Sequence, residues 1–224
     1  MVAGMSACIV HPCARSADLE SKEYFDRVAS QWDQMRTRFF SDAVRDKALS
    51  VGAVESGRLA ADLGAGTGFV TEGLLATGLR VIAVDQSVEM LAAMRAKFGP
   101  EAAVEYRLGA AELLPLDDAA VDYAFANMYL HHVADPPAAI QEMVRIVRPG
   151  GRLVITDLDK HAFEFLRQEQ HDRWMGFDRG DVRQWLESAG LHDVDIDCVG
   201  ENCCASSACG EQAAVSIFVA SGRK

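Results

Sequence analysis

The chain has 224 residues, half of them hydrophobic and a quarter charged, with a formal net charge of −11. That length suffices for one domain with a substantial core, and the acidic excess argues against nucleic acid or an anionic membrane as partner, since both need basic patches. No apolar run approaches the ~20 residues of a membrane span, and the start lacks the basic n-region of an export signal, so a cytoplasmic location is expected.

Residues 1–20 show no periodicity and are expected to form a mobile arm ahead of a single domain over residues 21–224. Helical spacing begins near Glu23, with Tyr24, Phe25, Val28 and Trp32 on one face, and residues 41–53 read as a second helix. The run Arg58-Leu59-Ala60-Ala61 leads through Asp62-Leu63-Gly64-Ala65-Gly66-Thr67-Gly68 into residues 69–75, which have helical spacing. That order reads strand, tight glycine turn, helix. Residues 80–85 form an apolar strand ending in Asp85, and Ser87 is a good N-cap for a helix through Lys97.

Two more strands are expected at 103–108 and 121–126, and Pro136-Pro137 opens a helix whose apolar face includes Ile140, Met143, Val144 and Val147. Arg148-Pro149-Gly150-Gly151 turns that helix into a fifth strand, 152–157. A helix over 178–189 stops at Gly190, and strands at 192–199 and 213–220 flank a cysteine-containing loop. Strands and helices alternating at these lengths predict an α/β fold with a parallel, doubly wound sheet.

Glycines in the turn after the first strand allow positive φ and close approach to a ligand, and the helix start offers unpaired N–H groups. Asp85, about one βαβ unit on, stands where a carboxylate accepts hydrogen bonds from both hydroxyls of a ribose. A nucleoside cofactor follows. The spacing Gly64-x-Gly66-x-Gly68 with Asp62 before it differs from a dinucleotide fingerprint, and the extra acid suits a cationic or zwitterionic ligand.

The turn resembles the first motif of class I S-adenosylmethionine-dependent methyltransferases. Asp85, Gly109-Ala110-Ala111-Glu112-Leu113-Leu114-Pro115, residues 121–127 and Arg148-Pro149-Gly150-Gly151 match in order. The resemblance spans roughly residues 21–224. It implies a Rossmann-like sheet of seven strands, six parallel and the C-terminal one antiparallel, in the order 3-2-1-4-5-7-6. It also implies S-adenosylmethionine as cofactor. Gly64, Ala65, Gly66 and Gly68 would pass along its methionine part, with Asp62 at its ammonium and Asp85 and Gln86 at the ribose. Ala111 and Glu112 would lie beside the adenine and Asn127 below the sulfonium. Residues 24–33 resemble the segment that folds over the cofactor in small-molecule members; plain packing on the domain is the other reading.

Methyl transfer to oxygen or nitrogen often needs a base, and His131 and His132 after the fourth strand are candidates, as is Asp157 at the end of the fifth. Six cysteines sit at 8, 13, 198, 203, 204 and 209. Cys203, Cys204 and Cys209, with Cys198 on the strand below, are expected to form a soft-metal or metalloid site. Three sulfurs match trivalent arsenic and four match zinc. The C-terminal stretch, with Trp174-Met175-Gly176-Phe177, is similar to sequences grouped with bacterial arsenite methyltransferases. Those carry mid-chain cysteines, and this chain has none between 14 and 197. The expected acceptor is therefore a small molecule: a thiolate-bound metalloid such as arsenite, or an organic compound such as a quinone or polyketide. A non-catalytic cofactor binder or metal sensor is the reading from a different class.

Overall fold

The computed structural model describes residues 17–224. The arm expected over 1–20 falls mostly outside that range, and a helix, α1 (Ala17–Val28), already begins within it. A 3-10 turn (Ala29–Gln31) links α1 to α2 (Trp32–Arg36), and α3 (Ala43–Gly52) follows. Next come β1 (Leu59–Leu63), α4 (Phe69–Ala76), β2 (Arg80–Asp85), α5 (Val88–Phe98) and β3 (Val104–Leu108). The second half holds β4 (Val121–Asn127), a 3-10 turn (Leu130–His132), α6 (Pro136–Ile146) and β5 (Val147–Leu158). It ends with α7 (Glu164–Glu169), α8 (Arg179–Ser188), β6 (His192–Ser206) and β7 (Gln212–Arg223). Among the described residues no helix is long and apolar enough to cross a membrane.

The seven strands form one sheet in the order β3-β2-β1-β4-β5-β7-β6. Pairings from β3 to β5 are parallel, and β7 runs antiparallel to both β5 and β6. The expected topology is therefore the observed one. Because each of β1, β2 and β4 is buried on both faces, side chains alternate between two cores. Tyr123, Phe125 and Val154 pack with Val44 of α3 and Val70 and Leu74 of α4. Ala124, Leu153 and Ile155 pack with Ile140 and Met143 of α6 and Leu186 of α8.

Caps set the helix starts as the sequence indicates. Ser87 Oγ accepts the Met90 N–H at 3.0 Å, Asp135 accepts the Ala138 N–H at 3.1 Å ahead of Pro136, and Asp178 accepts the Gly180 N–H at 2.8 Å.

Two expectations are corrected. The turn expected at 148–151 lies inside β5, where the register to β4 shifts between Val121 and Tyr123. More consequentially, the loop expected after Val199 is mostly strand. After a kink at Gly200 (φ 88°), β6 resumes, with Cys203 opposite Val215 and Cys204 opposite Ala214. The side-chain period of 2 explains it: Cys203, Ala205, Ala213 and Val215 are buried, while Cys204 and Ser206 face out. Only residues 207–211 remain as a turn, closed by the Ser207 N–H donating to the Glu211 carbonyl at 2.8 Å.

Gly52 ends α3 directly over β4, where a Cβ would stand 2.8 Å from Phe125 Cζ. Gly52→Ala should therefore lose stability, since overpacking a filled core costs ~1–3 kcal/mol. The penalty should shrink in a Phe125→Leu background, and urea denaturation of the four-member cycle measures it.

Candidate functional site

The carboxyl ends of β1, β2, β4 and β5 open into one cleft enclosing about 1140 Å³, its open mouth included. At one end the turn after β1 is held in place by Asp85. Its Oδ2 accepts the Gly66 N–H at 2.8 Å and its Oδ1 accepts the Ser87 N–H at 2.8 Å. Gly64 and Gly66 have φ of 64° and 54°, in the left-handed region. At Gly64 a Cβ would also lie 2.3 Å from the Tyr129 ring, so no larger residue fits. Asp62 Oδ2 accepts both the Thr71 N–H at 2.9 Å and its hydroxyl at 2.6 Å, which ties β1 to the start of α4. Burial pushes the Asp62 carboxyl up to about 7 despite those bonds, and burial likewise raises Asp85.

Asp62, Gly64, Ala65, Gly66, Asp85, Gln86 and Asn127 all line this cleft. Asn127 Oδ1 accepts the Thr156 hydroxyl at 2.7 Å. Gly68, Ala111 and Glu112 lie off its wall. Gly68 begins α4 under the Phe98 ring. The Glu112 carboxylate turns away to accept the Ala134 N–H at 3.0 Å, just ahead of α6. The Ala111 backbone is hydrogen-bonded by Tyr129, whose buried hydroxyl is held well above the usual tyrosine pKa. Tyr129, which carries no motif, is thus the residue that closes this side.

α1 and α2 roof the cleft. The Tyr24 hydroxyl donates to Gln170 Oε1 at 3.1 Å, Phe25 meets Trp32 edge-on at 5.3 Å, and Trp32 Nε1 lies 3.6 Å from where a Gly66 Cβ would stand. Asp33 fastens this roof by accepting from the Thr67 hydroxyl and pairing with Lys97 at 3.1 Å. Arg36 lines the cleft with its guanidinium 4.0 Å from the Phe69 ring centroid, and its buried Nε has no hydrogen-bond partner.

The far end holds a charged cluster in aromatic surroundings. His131 Nδ1 meets Asp157 Oδ1 at 2.7 Å, and the His131 N–H donates to Asp157 Oδ2 at 3.3 Å. His131 Nε2 lies 3.7 Å from Asp172 Oδ1. Burial opposes the charge on His131, but Asp157 and then Asp172 outweigh it and lift the imidazole to about 9. Burial raises Asp172 to about 6, against the pull of His131. His132 is kept well below the usual histidine value, by burial first and by His131 second. His132 Nδ1 sits 3.3 Å from the His171 carbonyl, and the ring stands edge-on to Phe25 at 5.1 Å.

The three expected catalytic residues thus come together beside Tyr24 of the roofing segment, and Asp172 and Gln170 join them unannounced. The thiol site does not form. Cys203 reaches the cleft, but Cys204 is on the opposite face of β6 and Cys209 is exposed in the turn. Cys198 lies before the kink, its thiol pulled down by the Ser216 hydroxyl, the Gly200 N–H and Arg179. Cys8 and Cys13 fall outside the described residues. Alternation along a strand separates neighbours that sequence proximity groups.

Residues 61–155 match the family model described as a methyltransferase domain. The malonyl-[acyl-carrier protein] O-methyltransferase of Serratia marcescens is 32% identical over 69% of this chain and 57% of its own length. The demethylmenaquinone methyltransferase of Clavibacter sepedonicus is 31% identical over 68% of this chain and 65% of its own. The chain therefore spans less than two thirds of either relative. The phosphoethanolamine N-methyltransferase 2 of Haemonchus contortus, solved with phosphomonomethylethanolamine and S-adenosylhomocysteine, shares the fold at a TM-score of 0.74 and 16% identity, covering 96% of this chain and 61% of that one. Over residues 61–155 the chain is thus similar to a methyltransferase domain.

Proposed function

We propose that the protein transfers a methyl group from S-adenosylmethionine to a small organic acceptor with an apolar body and an ionisable oxygen or nitrogen. The observation that carries this reading is a single cleft with two unlike ends: the glycine turn with Asp85 at one, and His131 held by Asp157 at the other. S-adenosylmethionine supplies a methyl group already activated by a sulfonium, so the chain's task is to align the acceptor and exclude water. Gly64 and Gly66 let the backbone approach the cofactor's methionine part. Asp62 faces its ammonium, Arg36, which also pairs with Asp42, its carboxylate, and Asp85 its ribose. Ala111 and Glu112 belong to the adenine side and Asn127 to the floor beneath the sulfonium.

Phe25, Trp32, Phe39 and Phe40 give the cleft an apolar wall that suits a flat or greasy acceptor. His131, oriented by Asp157, is the residue placed to stabilise the ionised acceptor, with His132 and Asp172 flanking it. A thiophilic acceptor such as arsenite is the second reading, and Cys203 in the cleft wall favours it. One thiol falls short of the three sulfurs that trivalent arsenic prefers, so the organic acceptor ranks first.

Turnover is read as S-adenosylhomocysteine formed with panels of phenolic, quinol, amine and carboxylic acceptors, and with arsenite. His131→Gln should lower kcat ~10²–10⁴-fold, the usual weight of a positioned acid–base group, while cofactor affinity stays unchanged. Equal turnover in a folded His131→Gln protein would remove His131 from the chemistry.

Asp62 gives a pH prediction. A carboxyl raised to about 7 favours the fold in its neutral form, so its stability contribution is complete below about pH 4 and is lost as pH climbs towards 7. An ammonium beside it reverses the preference. Cofactor affinity should therefore rise several-fold between pH 6 and 7.5 in the native protein. Asp62→Asn should flatten that rise, and calorimetry across the range decides.

A further inference from the structure

We propose that His131, His132 and Asp172 form a divalent-cation site at the acceptor end of the cleft, one that takes a first-row ion such as Zn2+, Co2+ or Mn2+. One ligand atom from each residue lies within 4.8 Å of the other two. The available atoms are fixed by their neighbours. Asp157 holds His131 Nδ1 at 2.7 Å, which leaves Nε2 facing Asp172. The His171 carbonyl lies 3.3 Å from His132 Nδ1, which leaves that ring its Nε2 as well. A carboxylate behind a ligating imidazole is the arrangement that fixes tautomer and ring orientation in metal sites.

Ligand atoms around a tetrahedral ion at 2.0–2.2 Å stand roughly 3.4 Å apart. His131 Nε2 and Asp172 Oδ1 are already at 3.7 Å, and with all three atoms within 4.8 Å of one another the widest pair needs to close by no more than ~1.4 Å. Two imidazoles and one carboxylate suit borderline ions and leave positions open. Those positions would face the cleft, since all three residues line it. The thiols, by contrast, are dispersed, with only Cys203 on the same wall among the four described cysteines.

The inference rests on the reading of this end as the acceptor's. With a cation in place, His131 acts as a ligand and the acceptor's hydroxyl occupies an open position. The cation lowers that hydroxyl's pKa. Its O–H bond breaks, the proton goes to solvent, and the oxygen keeps the electron pair. That pair forms the new O–C bond to the methyl carbon while the C–S bond breaks, leaving a neutral thioether. Acceptors with two adjacent oxygens, which chelate a cation, are then the favoured class.

The test is titration of the full chain with cobalt(II) alone, with neither cofactor nor acceptor present. One equivalent should bind and give visible d–d absorption without a near-ultraviolet thiolate charge-transfer band. Asp172→Ala and His132→Gln should each weaken binding at least about tenfold, whereas Cys203→Ser should leave it unchanged. Cofactor affinity, measured on every variant, confirms that each is folded. Absence of saturable one-to-one binding, a thiolate band, or native affinity in both ligand variants overturns the site. Since no turnover is read, failure here leaves the proposed methyl transfer standing.

Discussion

The two bonds from Asp85 to the Gly66 and Ser87 N–H groups organise the whole cofactor end. Each is 2.8 Å long, and each ends on a different loop. Through them one carboxylate fixes where the glycine turn sits relative to β2 and where α5 begins. Hydrogen bonds to an ionised group are worth ~1.5–3 kcal/mol each, enough to hold a strained turn. With the turn fixed, Asp62 is drawn under α4 and Trp32 finds its seat against Gly66. Asp85 also lines the cleft, so the group that builds the turn is placed to accept from a ligand.

Buried acid is the cleft's dominant electrostatic feature. Asp62, Asp85 and Asp172 all have carboxyls raised by burial. Burying an ionised carboxylate without a matching charge is expensive, and the shifted pKa values are the measure of that expense. A cation entering the cleft relieves it twice over, by neutralising charge and by lowering the cost of ionisation. Asp62 and Asp85 at the turn end therefore gain from a positive ligand, whereas Asp172 already faces His131. The single guanidinium of Arg36 lies among aromatic rings rather than beside these acids, so it does not cancel them.

Legibility in the sequence followed the range of the interactions concerned. Strand order, the glycine turn, Asp85 and the Ser87 cap all rest on short segments whose spacing is visible in one dimension. The β6–β7 region failed for a local reason too: reading Cys203-Cys204 as a pair ignored that consecutive strand residues point apart. Proximity in sequence was taken for proximity in space, and the period of 2 made it the reverse. The His131–Asp157–Asp172 convergence was legible only in part. His131 and Asp157 stand at strand ends on the cofactor edge, where ligands gather in open α/β sheets. Asp172 lies in an irregular stretch after α7 with no periodicity to mark it, and only the packed chain brings it there.

The same division bears on specificity. The matched methyltransferase segment, residues 61–155, contains the glycine turn, Asp85, Asn127 and both histidines. Tyr24, Gln170, Asp172 and Cys203 line the same cleft, and all four lie outside it. The architecture of such a domain can therefore be kept while this part of the cleft wall is rewritten by α1, the stretch after α7 and β6. These pieces hold one another: Tyr24 bonds Gln170 and stacks near His171, and the Ala208 N–H is held by Glu169. A change in one shifts the others, because the roof, the irregular stretch and the β6–β7 turn share side chains rather than merely abutting. The match to the methyltransferase model thus carries little weight for the acceptor, because these four lining residues fall outside it.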